Sequence, residues 1–155
     1  MDLNIKAVSP KIGREIPYPY YASAGAAAMD LHACLDAPLT IHPGDLVSVP
    51  TGIAIALPSA EYMALVFARS GLGVKHGIAL SNGVGVIDSD YRGELRVGLT
   101  NFSRTPYTIA PGDRIAQLAV VPVVQVRPVP VLDLDETARG SGGFGSTRVR
   151  GAPLP

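Results

Sequence analysis

The chain has 155 residues, 47% of them apolar and 17% charged, which suits one domain with a core of its own that needs neither metals nor disulfides. Thirteen basic residues balance 13 acidic ones, which excludes a general nucleic-acid binder resting on a basic patch. No apolar run approaches the roughly 18 residues that a membrane-spanning helix needs, and 17 Gly and 14 Pro leave little room for long helices.

The opening stretch, Met1-Asp2-Leu3-Asn4-Ile5-Lys6, has no basic segment followed by an apolar one, so no signal peptide is expected. Cys34 is the single cysteine and sits in an apolar run, where a buried, inert thiol in a reducing, cytoplasmic setting is expected. Short β-type runs then alternate with turn residues: Leu46–Val49, Ile53–Leu57, Tyr62–Phe67, Val84–Ile87 and Glu94–Thr100. Arg114–Val126 is a longer apolar run broken at Pro122. Strands at this spacing, bounded by Gly and Pro, predict an all-β sandwich or closed barrel. His42-Pro43-Gly44-Asp45 and Ala110-Pro111-Gly112-Asp113 each precede a strand and fit a type II turn, with Gly where φ is positive. One helical turn is expected, over Ser70–His76, with Ser70 as its N-cap. The Gly/Ser-rich stretch Arg139–Thr147 cannot pack a core.

Several segments have two readings on local chemistry. Arg69-Ser70-Gly71-Leu72-Gly73 follows an apolar strand. It is either a strand-ending turn with a solvated arginine or a set of N–H, hydroxyl and guanidinium donors for phosphate oxygens. Asp88-Ser89-Asp90-Tyr91-Arg92-Gly93 is well explained as a turn, and equally presents two carboxylates and an aromatic ring that suit water activation. Gln117 lies inside an apolar strand, so its amide needs either a core network or a ligand. The three histidines, His32, His42 and His76, have no metal-ligand spacing, and surface or packing roles are expected. There are ten Arg against three Lys; arginine suits bidentate recognition of phosphate, and a GC-rich genome gives the same bias. A P-loop signature is absent from the sequence.

Taken in order, five segments resemble the motifs of the trimeric dUTPases. They are Ala27–Leu31, Arg69–Leu72, Asn82–Gly93, Pro111–Gln117 and Arg139–Thr147. The resemblance implies a jelly-roll-like distorted β-barrel over residues 1–136, a flexible Gly-rich tail over 137–155, and a homotrimer whose sites are shared between subunits. It implies a magnesium-dependent enzyme that hydrolyses dUTP to dUMP and pyrophosphate, limiting uracil in DNA and supplying dUMP for dTMP synthesis. Asp88 would be the general base for a water attacking the α-phosphorus. Asn82, Val86, Ile87 and Arg96 would read the base, and Tyr91 would pack beneath the sugar. Arg69, Ser70, Gly71 and Gln117 would hold phosphates and water. Phe144 would stack on uracil while Arg139, Gly145 and Ser146 close over the phosphates. Magnesium would bind chiefly to the triphosphate, with Asp30 assisting through water. The partners implied are dUTP and further copies of the chain, with no nucleic acid and no membrane.

A related deaminase would need a glutamate where Gly98 stands, so deamination is not expected. A nucleotide-binding trimer without catalysis would have lost Asp88, Tyr91 or the Gly/Phe tail, and all three are present.

Overall fold

A computed structural model describes residues 1–143. It contains eleven strands: β1 (Asn4–Ala7), β2 (Met29–His32), β3 (Leu39–Ile41), β4 (Leu46–Pro50), β5 (Ile53–Ala56), β6 (Tyr62–Ala68), β7 (Ile78–Leu80), β8 (Gly85–Ile87), β9 (Arg96–Asn101), β10 (Tyr107–Ile109) and β11 (Arg114–Pro122). The one helix among the described residues is α1 (Ser70–His76). The all-β expectation therefore holds. β1, β2, β3, β7 and β10 come from segments of three or four residues that the sequence pattern does not separate from loops.

All strand pairs are antiparallel and fall into four sheets, ordered β2-β11-β6-β8, β4-β9-β7, β1-β5 and β3-β10. No sheet among the described residues closes on itself, so the expected barrel is not a closed hydrogen-bonded ring. The strands instead pack their apolar faces on one another. Leu31, Ile41, Val49, Ile53, Val97, Leu99, Ile109, Ile115 and Leu118 are almost fully buried in that shared core.

The two Pro-Gly-Asp turns are built alike. Gly44 and Gly112 have φ of 83° and 82°, and the carboxylates of Asp45 and Asp113 each accept a hydrogen bond from the backbone N–H three residues earlier, at 2.8 Å. They follow β3 and β10, which pair with each other, so one turn solution ends two facing strands.

Two expectations need correction. Arg69, not Ser70, is the N-cap of α1: its backbone is still extended (φ −86°, ψ 133°), its side chain caps nothing, and Ser70 is already helical. Cys34 is half-buried rather than buried, because it lies just beyond β2, where the chain leaves the sheet to bond Pro50.

By its internal contacts the chain divides after Gln125. From Val126 to Gly143 no strand forms; a turn carries Gly140 at φ 51°, and Arg139 Nε donates to the Gly142 carbonyl at 2.7 Å. Phe144, Gly145 and Ser146 lie outside the described residues.

Candidate functional site

Two clusters of polar side chains are built at opposite ends of β6. The first draws on three strands. Asp30 on β2 faces Gln117 on β11 across the ladder, and Gln117 in turn faces Phe67 on β6. Asp30 is 2% exposed, and each of its carboxylate oxygens has an arginine. Arg69 Nε lies 3.0 Å from Oδ1 and Arg114 Nη1 lies 3.1 Å from Oδ2. The Arg69 contact is an ion pair by distance but off-line for a hydrogen bond. Arg69 Nη1 instead donates to the Arg114 carbonyl at 3.2 Å, which ties the end of β6 to the start of β11. A buried carboxylate needs such partners, since leaving one charge unpaired in the interior costs several kcal/mol. Ser70 and Gly71 are exposed where α1 begins, and a Cβ on Gly71 would meet open space. A pocket of about 190 Å³ opens beside Arg69, Arg114 and Asp113.

His32 sits two residues beyond Asp30, 6% exposed and stacked on Tyr20 with ring centroids 6.0 Å apart. Burial pushes its imidazole below the ordinary 6.5; Asp30 opposes that shift, and Arg114 and Arg69 add to it.

The second cluster flanks β8. Asn82 occupies the turn between β7 and β8, which lets Gly85 lie flush on β6; a Cβ there would come within 3.1 Å of Val66. Val86, Ile87, Asp88, Tyr91 and Arg96 line one pocket of about 210 Å³, with Glu94 among them. Asp88 is exposed and also borders a larger pocket of about 510 Å³ beside Tyr62 and Met63. The loop is held by its own residues. Tyr91 N–H donates to the Asp88 carbonyl at 3.2 Å, and Arg92 Nη1 donates to the carbonyls of Ser89 and Tyr91 at 2.7 and 2.9 Å. Tyr91 Oη donates to the Glu94 carbonyl at 3.1 Å. The Glu94 carboxylate accepts from Gly52 N–H at 2.9 Å and pairs with Arg96 at 3.3 Å, while Arg96 also donates to Ser48.

The sequence-predicted residues thus fall into two groups. Asp30, Arg69, Ser70, Gly71 and Gln117 gather at one end of β6, and Val86, Ile87, Asp88, Tyr91 and Arg96 gather at the other. Ile87 lies opposite Ala64, and the chain runs on to Asp88 away from Arg69. The chain is extended over the five steps from Ala64 to Arg69, so at ~3.3 Å per step the backbones of Asp88 and Arg69 in one chain lie roughly 17 Å apart along the strand. Glu94 and Arg114 belong to these clusters and were not singled out from sequence. Among the described residues no group of three or more His, Cys, Asp or Glu side chains is placed to hold a metal ion. No helix among the described residues is long and apolar enough to cross a membrane.

The sequence profile of the dUTPase family matches residues 14–148. A protein of Idiomarina loihiensis named Deoxyuridine 5'-triphosphate nucleotidohydrolase is 53% identical over 143 residues, covering 92% of this chain and 95% of its own. One of the same name from Paraburkholderia phymatum is 51% identical over 147 residues, covering 95% of this chain and 98% of its own. Among solved structures, a Staphylococcus bacteriophage 80alpha dUTPase with dUPNHPP superposes with a TM-score of 0.83 at 23% identity, over 96% of this chain and 99% of that one. A dUTPase variant from phage phi11 of S. aureus, described with a structural Mg(II) ion, gives 0.75 at 20% identity, over 88% and 100%. At those identities the two structures speak for the fold. The chain belongs to the dUTPase family.

Proposed function

We propose that this dUTPase-family chain hydrolyses dUTP to dUMP and pyrophosphate with magnesium, as a cytoplasmic homotrimer whose sites each combine residues from different copies. The reaction would limit uracil incorporation into DNA and supply dUMP for dTMP synthesis. The observation that carries the reading is the separation along β6. The backbones of Asp88 and Arg69 stand roughly 17 Å apart along the strand within one chain, so the two are not set side by side around one phosphate. A symmetric assembly that sets one copy's Asp88 end against another's Arg69 end completes the site.

In that site Asp88 orients a water and takes its proton as the water oxygen bonds to the α-phosphorus. The bond to the bridging oxygen then breaks and pyrophosphate leaves. Arg69, Ser70, Gly71 and Gln117 hold the phosphates and the water, so catalysis rests on positioning and charge neutralisation. Magnesium, when bound, would offset part of the triphosphate charge; Asp30, buried behind Arg69 and Arg114, would act on it only from a distance, through water. Asn82 with the backbone around Val86, Ile87 and Arg96 reads the uracil edge, where cytosine would leave buried donors and acceptors unpaired at about 1–3 kcal/mol each. Tyr91 fills the space a 2′-hydroxyl would need. The tail, residues 137–155 with Arg139, Phe144, Gly145 and Ser146, closes the site against water.

The test incubates pure protein and magnesium with dUTP, dCTP, dTTP and UTP separately, and measures pyrophosphate and monophosphate. Pyrophosphate and dUMP from dUTP alone, lost in Asp88→Asn, is the expected result. Intact dUTP would refute the reading, and uracil nucleotides formed from dCTP would point to deamination.

A further inference from the structure

The Asp30 cluster does more than its assigned residues account for. Asp30 is a nearly inaccessible carboxylate on β2, and its two oxygens are shared between guanidinium groups from two other strands' ends. The three side chains together carry an excess of one positive charge. Their exposures are graded: the Asp30 side chain is 3% exposed, Arg69 22% and Arg114 46%. The carboxylate is therefore out of a ligand's reach while the far edge of each guanidinium is not. Arg114 also sits where the β2–β11 register shifts, between Arg114 and Ala116. Such a bulge adds a residue to one strand and re-aims the side chain beside it, and bulges are common next to active sites. Both arginines line the same pocket of about 190 Å³.

The geometry points to Arg114 as a second phosphate-binding arginine and to Asp30 as the positioning residue that fixes Arg69 and Arg114 as a pair. This inference rests on the proposed dUTP reaction. A guanidinium is a planar fork of donors, and two of them held apart by one carboxylate offer fixed N–H groups to the β- and γ-phosphate oxygens. Without Asp30 the two like charges would repel and the long side chains would have to be ordered by the ligand. The arrangement costs the desolvation of a carboxylate, and a buried ion pair is a poor way to gain stability alone. A recognition role explains why one is built here, at a strand bulge and beside an open pocket.

The test separates phosphates from nucleoside. Isothermal titration calorimetry with magnesium compares dUMP with the non-hydrolysable α,β-imido analogue of dUTP, on wild-type protein, Arg114→Gln, Arg114→Lys and Asp30→Asn. Arg114→Gln should weaken the analogue at least about tenfold and leave dUMP within about twofold. Arg114→Lys, which keeps the charge but not the fork, should fall between. Asp30→Asn should show the same selective loss with both arginines present. Equal weakening of both ligands would mean a purely structural cluster and overturn the inference, as would an unchanged affinity for the analogue. The two Arg114 variants decide the question if Asp30→Asn does not fold. Wild-type protein that binds neither nucleotide would sink the proposed function itself, and this inference with it.

Discussion

Copies of the chain carrying Asp88→Asn and copies carrying Arg69→Ala, each inactive alone, should restore activity when assembled together. The reason is metric. Ala64, opposite Ile87, and Arg69 are five extended residues apart, so ~17 Å of strand separates the backbone beside Asp88 from that of Arg69. If each site takes Asp88 from one copy and Arg69 from its neighbour, a site is complete where an Arg69→Ala copy lends its Asp88 to an Asp88→Asn neighbour. Every mixed trimer, two copies of one variant and one of the other, then has one complete site in three, or about 33%. Co-expression of the two variants with different affinity tags, followed by tandem purification and assay of pyrophosphate release, measures this directly. Mixed assemblies with about one third of wild-type activity support the shared site. Mixed assemblies as dead as either parent would refute the separation argument, because sites built within single chains cannot be rescued.

Other perturbations follow from single contacts. A methyl group on Gly93 would come within 2.3 Å of Tyr91 Oη, and since that ring is 45% exposed it can swing away; Gly93→Ala should leave Tm almost unchanged yet cut the kcat/KM preference for dUTP over UTP by about tenfold. Asn101, 1% exposed, donates to the Ile41 and Thr105 carbonyls at 2.9 and 2.8 Å and accepts from Ser103 N–H and Oγ at 2.9 and 2.7 Å. Asn101→Ala should cost about 3 kcal/mol, seen in thermal melts at fixed concentration as a fall of about 6–12 °C. His32 is held below its ordinary 6.5 by burial, so as pH falls below about 6.5 the unfolded chain takes up a proton that the folded chain refuses. Stability should therefore drop on acidification by at most about 1.4 kcal/mol per pH unit from this group, and urea titrations of His32→Asn at pH 7.5, 6.5 and 5.5 should show a shallower slope than wild type.

The longer strands were legible because their apolar runs end at proline or glycine. Tyr62–Phe67 became β6, Leu46–Val49 became β4, and the run broken at Pro122 became β11, ending at that residue. The short strands were not. β2 is only Met-Asp-Leu-His, and all four of its residues are buried; its two polar side chains contradict a core strand until their partners are known. The repeated Pro-Gly-Asp turns were readable as turns, but not as the ends of two strands that pair with each other, since β3 and β10 are remote in sequence. The N-cap of α1 shifted by one residue for a tertiary reason. Arg69 is drawn toward Asp30 and the Arg114 carbonyl, and the chain stays extended to let it reach them.

The same limit explains what was missed in the candidate site. Asp30, Arg69 and Gln117 each stand in a recognisable segment, and Arg69 and Gln117 also have innocent local readings, as a solvated arginine at a strand-ending turn and as a core amide. Arg114 has an even plainer one, as a charged first residue of a strand after a turn. Its partner Asp30 is 84 positions earlier, and the two meet because β11 pairs with β2 on one side and β6 on the other. That double pairing brings a carboxylate from the first segment, an arginine from the second and an arginine from the fourth to one point. Spacing along the chain carries no trace of it. The Asp88 loop is different in kind: Asp88, Tyr91 and Arg92 are hydrogen-bonded to neighbours within three residues, so its shape is local and its pattern could be read directly. Contacts local in sequence are legible as motifs, while those made through the sheet must be computed from the fold. The arginine pair is of the second kind, which is why the calorimetric comparison of monophosphate and triphosphate, rather than any closer reading of the sequence, decides its role.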